Sequence, residues 1–339
     1  MTTIKDIAAL SGVSVGSVSY VINNQPGKVS ADKRARVLEA MRQLNYRPRQ
    51  SPRRDMLPSA LTLGITSASL EFSGRDRYFG TVVEALLKTA DSLGHNATVF
   101  ATRLFHEDPL LSIRTYCDGQ CAGLIVVAPG TQNPLIDALQ NRGFPFIIFG
   151  DSSHDNASYC DLDNVASARI AVEEMLKAGH RRIAYCSGPV DHSSQPERYH
   201  GYQEALASWD IPVDPRYVSP PVRGGDDYVP WMKTILDMPA DDRPTAICCF
   251  SDQLSIDLLD MIKHRGLSVP HDFSLIGFDD IGVDRLDPPL SAVRQPFDAL
   301  ARSAVDLLVT AIHNPDSAPI HVILPGEVVL RASIAPPGA

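Results

Sequence analysis

Thr3-Ile4-Lys5-Asp6-Ile7-Ala8-Ala9-Leu10-Ser11-Gly12-Val13-Ser14-Val15-Gly16-Ser17-Val18-Ser19-Tyr20-Val21-Ile22-Asn23 decides the N-terminal fold. Thr3 suits the cap of a helix over Ile4–Leu10, with Asp6 favourably placed in its first turn. Gly12 suits a left-handed break between helices. Ser14 caps a second helix over Val15–Ile22. Asn23-Asn24-Gln25-Pro26-Gly27 reads as a loop. Ser30 caps a third helix over Ala31–Leu44, with Val37, Leu38, Met41 and Leu44 on one face. The pattern predicts an all-α helix-turn-helix head over residues 1–48. In that geometry the second helix enters the major groove by its N-terminal end. Gly12-Val13-Ser14-Val15-Gly16 also satisfies G-x-S-x-G. Its Ser follows a helix rather than a strand, so it is no hydrolase elbow.

Charge supports the same reading. Residues 1–60 hold ten Lys and Arg against four acidic residues, which leaves the remaining chain at −15 within a net charge of −9. A basic head ahead of an acidic body points to nucleic acid at the N-terminus. Val15, Gly16, Ser17 and Tyr20 would face bases. Lys5, Ser14, Lys33 and Arg34 would face phosphates, which position rather than specify. Thr3 and Asn23 complete the candidate DNA-contacting set on the head, and Arg53 and Met56 extend it into the linker, residues 49–60.

Residues 61–339 alternate short apolar runs with helical patterns. Leu61–Ile65, Ala97–Ala101, Leu124–Ala128, Phe146–Phe149, Ile183–Ser187, Ala246–Phe250 and Leu275–Gly277 read as buried parallel strands. Tyr78–Leu93, Pro109–Tyr116, Leu135–Asn141, Ala166–Ala178, Tyr199–Trp209, Tyr228–Leu236 and Gln253–Arg265 read as the helices between them. This predicts an α/β body of two doubly wound parallel-sheet lobes with a ligand cleft at the strand carboxyl ends. The six cysteines are scattered without C-x-x-C spacing, which suits buried thiols in a reducing compartment. The ten histidines show no metal spacing, and no P-loop or dinucleotide fingerprint is present, so neither metal nor cofactor is expected. No apolar run reaches the ~18 residues of a membrane span. Met1–Asp6 carry no apolar secretory segment, which predicts a cytoplasmic protein.

Ile4-Lys5-Asp6-Ile7-Ala8, Gly12-Val13-Ser14, Val21-Ile22-Asn23 and Leu44-Asn45-Tyr46-Arg47-Pro48 together resemble the lactose/galactose-repressor family of bacterial transcription regulators. The resemblance continues through Gly179-His180-Arg181-Arg182-Ile183, Arg198-Tyr199-His200-Gly201-Tyr202, Ser251-Asp252-Gln253, Gly277-Phe278-Asp279-Asp280, Arg294-Gln295-Pro296 and Arg331-Ala332-Ser333. It implies a body similar to periplasmic sugar-binding proteins. It also implies three chain crossings between lobes, near Asp163, Arg294 and Pro319. Lobe 1 would then hold about 61–162 and 294–319, and lobe 2 about 163–293 and 320–339. The family's hinge helix wedges a Leu into the minor groove. Here Asp55 stands in that place, so either Met56 or Leu57 wedges instead, or the linker is a flexible basic strap.

The resemblance and the strand ends together give the candidate ligand set: Tyr78, Phe79, Asp151, Asp163, Arg198, Ser251, Asp279 and Gln295. A guanidinium fork and carboxylates suit the vicinal hydroxyls of a sugar. Several have a plainer alternative: Asp163 as a helix cap, Tyr78 and Phe79 as core. Family members often place a carboxylate where this chain has Gly150, one residue before Asp151. Asp279-Asp280 would suit a glycosidase only if both carboxyls converged, and adjacent residues on a strand end diverge. The expected function is a repressor, not an enzyme, that binds palindromic operator DNA as a homodimer under control of a small molecule. That effector is a sugar or, since Tyr78-Phe79 resembles the stacking pair of the purine-responsive branch, a purine or phosphorylated metabolite. A dimer is expected because tetrameric members carry a further C-terminal helix that Ile334–Ala339 does not offer.

Overall fold

The computed structural model describes residues 3–22, 28–44, 60–67, 77–100, 116–131, 133–223 and 227–338. The chain divides into two compact units, Met1–Met56 and Leu57–Ala339.

In the first unit, α1 (Ile4–Ser11) begins with a reciprocal cap. The Thr3 hydroxyl accepts from the Asp6 amide at 3.4 Å, and the Asp6 carboxylate accepts from the Thr3 amide at 2.7 Å. Gly12 ends it at φ 64°. α2 (Val15–Ile22) starts where the Ser14 hydroxyl accepts from the Ser17 amide at 3.2 Å. α3 (Ala31–Gln43) starts at Ser30 in the same way. Ile7, Ala8, Val18, Val21, Val37 and Ala40 form the core. Leu38 departs from expectation: it is 47% exposed, and Ala40 takes the buried place. The larger side chain at 38 points outward because the α3 stripe follows Val37, Ala40, Met41 and Leu44.

The second unit contains two sheets. The first is six-stranded and wholly parallel, in the order β10-β5-β4-β3-β1-β2. Its strands are β1 (Thr62–Ser67), β2 (Asn96–Val99), β3 (Gly123–Val127), β4 (Phe146–Phe149), β5 (Tyr159–Leu162) and β10 (His321–Leu324). The second is five-stranded, in the order β11-β9-β8-β7-β6. It comprises β6 (Ile183–Cys186), β7 (Ala246–Cys249), β8 (Ser274–Asp279), β9 (Ser291–Arg294) and β11 (Glu327–Val329), the last an antiparallel edge. β3, β6 and β7 are buried along their whole length, as strands covered on both faces must be. The helices are α4 (Tyr78–Ser92), α5 (Pro134–Arg142), α6 (Asn164–Lys177), α7 (Ser194–Ala207), α8 (Val229–Asp237), α9 (Asp252–His264) and α10 (Phe297–His313).

The chain passes between the sheets after β5, after β9 and after β10. The first two follow Leu162 and Arg294. The third is corrected: it lies at Pro325–Gly326, because β10 pairs with β5 in lobe 1. Lobe 1 therefore includes 321–324, which the sequence assigns to lobe 2. The expected helix over Pro109–Tyr116 and the linker 49–60 lie almost wholly outside the described residues.

Gly201 fixes the placement of α7. A Cβ there would stand inside the van der Waals envelope of the Val165 carbonyl oxygen on α6. The two helices pack at this point without a side chain between them, and Arg198 lies one turn upstream. Gly201→Ala must push α7 away from α6, at about 1–3 kcal/mol. A urea unfolding midpoint unchanged in this variant would contradict the packing described.

Candidate functional site

The candidate DNA face is the N-terminal end of α2. Val15 is 46% and Tyr20 42% exposed, although both are large and apolar enough to be buried elsewhere. Gly16, Ser14 and Lys5 are exposed beside them, and Ser17 and Arg34 are partly exposed. Thr3 and Ser14 spend their hydroxyls on helix caps. The start of each of these helices is thus held by its own polar groups while Val15 and Tyr20 of α2 face outward. Asn23, Arg53 and Met56 lie outside the described residues.

In the second unit Arg198 of α7, one of the candidate ligand residues, is 6% exposed. Its Nε donates to Asn164 Oδ1 at 2.8 Å and its Nη1 to the Phe250 carbonyl at 2.6 Å. Its guanidinium carbon lies 3.6 Å from the centre of the Phe278 ring and 4.5 Å from that of Phe250. Aromatic faces and neutral oxygens therefore hold a buried cation. Among the described residues Arg198 makes no salt bridge, and these two bonds use two of its five N–H donors.

Arg198 is tied to the opposite lobe. Asn164 Nδ2 donates to Glu197 Oε2 at 3.0 Å, and the Ser152 hydroxyl, after β4 in lobe 1, donates to Glu197 Oε1 at 2.6 Å. The Ser152 amide also donates to Ser193 Oγ at 3.3 Å. Nearby, the Thr131 amide of lobe 1 donates to the Asp191 carbonyl of lobe 2 at 2.8 Å. Polar contacts thus cross between the lobes, and the chain through Glu197 and Asn164 reaches the guanidinium. Sequence reasoning misses Ser152, Ser193 and Glu197. No spacing marks them, since each acts through a partner distant in sequence.

The carboxylates sort by partner. Asp163 accepts from the Ala166 amide at 2.9 Å as the cap of α6, and Ser251 accepts from Leu254 at 3.4 Å as the cap of α9. Asp151 is buried but accepts from both the amide and the hydroxyl of Ser153, at 2.9 and 2.5 Å. Asp280 is clamped by Arg294 at 2.8 Å and Arg331 at 2.7 Å. Asp279, also buried, accepts from Gln295 Nε2 at 2.6 Å. Adjacent Asp279 and Asp280 thus serve different partners, as expected of neighbours on a strand end. Tyr78 stands edge-on to Phe297, ring centres 5.7 Å apart, and both Tyr78 and Phe79 pack on the lobe 1 core. Burial raises the Tyr78 phenol well above its usual value, with Asp161 and Asp279 adding to it. Burial, with Asp279 beside it, also raises the Asp252 carboxyl, whose Oδ2 accepts from the Ile281 amide at 2.6 Å.

A family model described as bacterial regulatory proteins, lacI family, matches residues 3–49. A periplasmic binding protein-like domain model matches residues 172–334. The transcriptional regulator GalR of Salmonella typhimurium is 30% identical over 99% of this chain and 97% of its own. The chain belongs to the lacI family of bacterial regulatory proteins. The regulator CelR of Thermobifida fusca is 28% identical over 98% of each chain. A solved CelR–cellobiose complex superposes with a TM-score of 0.71 at 27% identity, covering 98% of this chain and all of that one. The lac repressor dimer bound to operator and an anti-inducer gives a TM-score of 0.68 at 25% identity, covering 98% of this chain and 99% of that one. The fold of this family member is therefore a helix-turn-helix head on a periplasmic-binding-protein-like body, and its role is transcriptional regulation.

Two expectations follow for this regulator. Glu197→Ala severs both polar links between Ser152 and Asn164. Spin labels placed on the two lobes should show a longer and broader distance distribution in that variant, and an unchanged one would contradict the link. Asp252, raised when folded, binds a proton that the unfolded chain has lost, so its contribution to stability is present at low pH and is lost as pH rises through its folded value. The melting-temperature difference between Asp252→Asn and the parent should shift in favour of the variant from pH 5 to pH 8. A difference independent of pH would contradict the raised carboxyl.

Proposed function

We propose that this regulator is a repressor that binds a palindromic operator as a homodimer, and that a sugar held between its lobes sets operator affinity. The observation that carries the effector reading is Arg198: buried, stacked between two rings, without a salt bridge among the described residues, and with donors unspent. Hydroxyl oxygens are suitable acceptors for those donors. The solved CelR–cellobiose complex supports a sugar. Asp279 with Gln295 supplies a carboxylate for sugar hydroxyls, and the candidate set of Tyr78, Phe79, Asp151, Asp163, Ser251, Asp279 and Gln295 surrounds the same cleft in this reading.

A purine is the second reading, favoured by the PurR relatives, one of them 25% identical over 98% of this chain, and by the Tyr78-Phe79 pair. Against it, both rings already pack on the lobe 1 core.

On the DNA side, Val15 and Gly16 offer no hydrogen-bonding side chain, so base contact there is by shape and apolar contact with thymine methyls. Two heads of a dimer would engage half-sites ~34 Å apart. Nothing in this role requires catalysis, a cofactor or a metal. Among the described residues no group of three or more His, Cys, Asp or Glu is placed to hold a metal ion. No described helix is long and apolar enough to cross a membrane.

Binding to fragments of the protein's own upstream DNA tests the proposal. Affinity for one fragment should exceed that for random DNA by roughly 1,000-fold or more at physiological salt. It should fall steeply as salt rises, because basic side chains displace counterions. Tyr20→Ala should erase most of the preference while the head stays folded. Equal affinity for every fragment would contradict the repressor reading.

A further inference from the structure

Asp161 lies at the carboxyl end of β5, two residues before the first crossing between lobes, and is 4% exposed. Its Oδ1 accepts from the neighbouring Leu162 amide at 2.7 Å, while its Oδ2 is buried with no hydrogen-bond partner among the described residues. The charged groups that act on it come from both lobes: Glu197 and Arg198 from α7, and Asp151 from the turn after β4. Cys160, the residue before it, faces the lobe 1 core, where its Sγ reaches the Leu300 carbonyl at 3.6 Å. Alternation along the strand turns Asp161 to the opposite face.

The neighbouring strand explains why this carboxyl matters. β4 and β5 pair at Phe149 and Cys160, so Gly150 and Asp161 follow side by side. Gly150 has φ 74°, and a Cβ on it would stand 2.8 Å from the Tyr78 hydroxyl. A side chain at the end of β4 would be strained by the positive φ and would crowd the Tyr78 hydroxyl. Asp151, the next residue, spends its Oδ1 on Ser153. Among the described residues at this end of the sheet, the carboxyl with an unspent buried oxygen is therefore Asp161.

We infer that Asp161 is an effector-binding carboxyl, and that with Arg198 it selects a ligand presenting O–H or N–H donors beside hydroxyl acceptors and carrying no anionic group. The inference rests on the reading of the cleft as an effector site and narrows its chemistry to neutral and amino sugars. A vicinal diol satisfies both partners: its oxygens accept from the guanidinium and its hydrogens go to the carboxyl. A phosphate or carboxylate brought to the same place would meet the carboxylates of Asp151, Asp279 and Glu197, and that of Asp161 where ionised, beside the Arg198 guanidinium. Burial pushes Asp161 up to about 7, with Glu197 and Asp151 adding to it and Arg198 opposing, so the carboxyl is poised for a donor that favours its ionised form. A buried carboxyl with an unpaired oxygen costs folding stability, and it gains a partner when such a donor arrives.

The test is calorimetric titration and thermal denaturation of the full chain with cellobiose, galactose, glucosamine, glucose 6-phosphate and hypoxanthine. The parent is compared with Asp161→Asn and Asp161→Leu. A neutral or amino sugar should bind the parent and lose roughly 10- to 100-fold in affinity in Asp161→Asn. The ligand-free Asp161→Leu protein should melt no lower than the parent. A bound sugar whose affinity is unchanged in Asp161→Asn would overturn the role of Asp161 and leave the sugar-effector reading standing. Glucose 6-phosphate binding more tightly than the neutral sugars would overturn the charge class. Hypoxanthine as sole ligand, or no binding by any member of the panel, would overturn the sugar-effector reading itself, and this inference with it.

Discussion

The second unit is organised around one buried cation. Taking a guanidinium out of water costs several kcal/mol unless its surroundings replace the lost hydration. Here the replacement is two aromatic faces, one backbone carbonyl and one side-chain amide, all from lobe 2. Those partners fix the guanidinium without consuming all its donors. The requirement reaches outward: Asn164 is held by Glu197, and Glu197 is held by Ser152 across the lobe boundary. The opposite lobe and the Arg198 guanidinium are thus connected through three side chains.

The acidic residues around this cation divide into structural and unspent groups by what they bond. Asp280 is clamped by two arginines, and Asp163 and Asp151 stabilise a helix start and a turn. Asp161 and Asp252 each keep one buried oxygen without a hydrogen-bond partner among the described residues. Natural folds seldom bury an unpaired carboxyl oxygen without a functional reason. Asp252 is explained in part by its place at the first turn of α9 and its bond to Ile281. Asp161 has no comparable structural role beyond the amide of its own neighbour.

Much of this architecture is legible in the amino-acid sequence. Caps and apolar spacing mark the three N-terminal helices to within a residue or so. Uninterrupted apolar runs mark β1, β3, β4, β6 and β7. The elements that escape carry weaker physical signals. β9, β10 and β11 carry Ser and Arg, His or Glu at their ends, and β10 and β11 are only half covered, so their apolar patterns are mixed. β5 is broken in sequence by Asp161, the very residue that gives it interest. Arg198 and Asp279 are legible through resemblance. Ser152 and Glu197 are not, since their meaning lies in one contact across a chain crossing. Asp151 reads as a carboxylate at a strand end, and nothing in the sequence marks that Ser153, two residues later, donates to its Oδ1.

Operator affinity of the parent and of Arg198→Lys, measured as a function of the concentration of a sugar that binds the parent, tests the account most directly. Lysine keeps the charge and loses the planar fork. The parent should change operator affinity by roughly 5- to 150-fold on saturation, the usual range of coupling between two sites. Arg198→Lys should bind the operator alone as the parent does and show little or no response. A full sugar response in Arg198→Lys would contradict the claim that this guanidinium is where the effector is read.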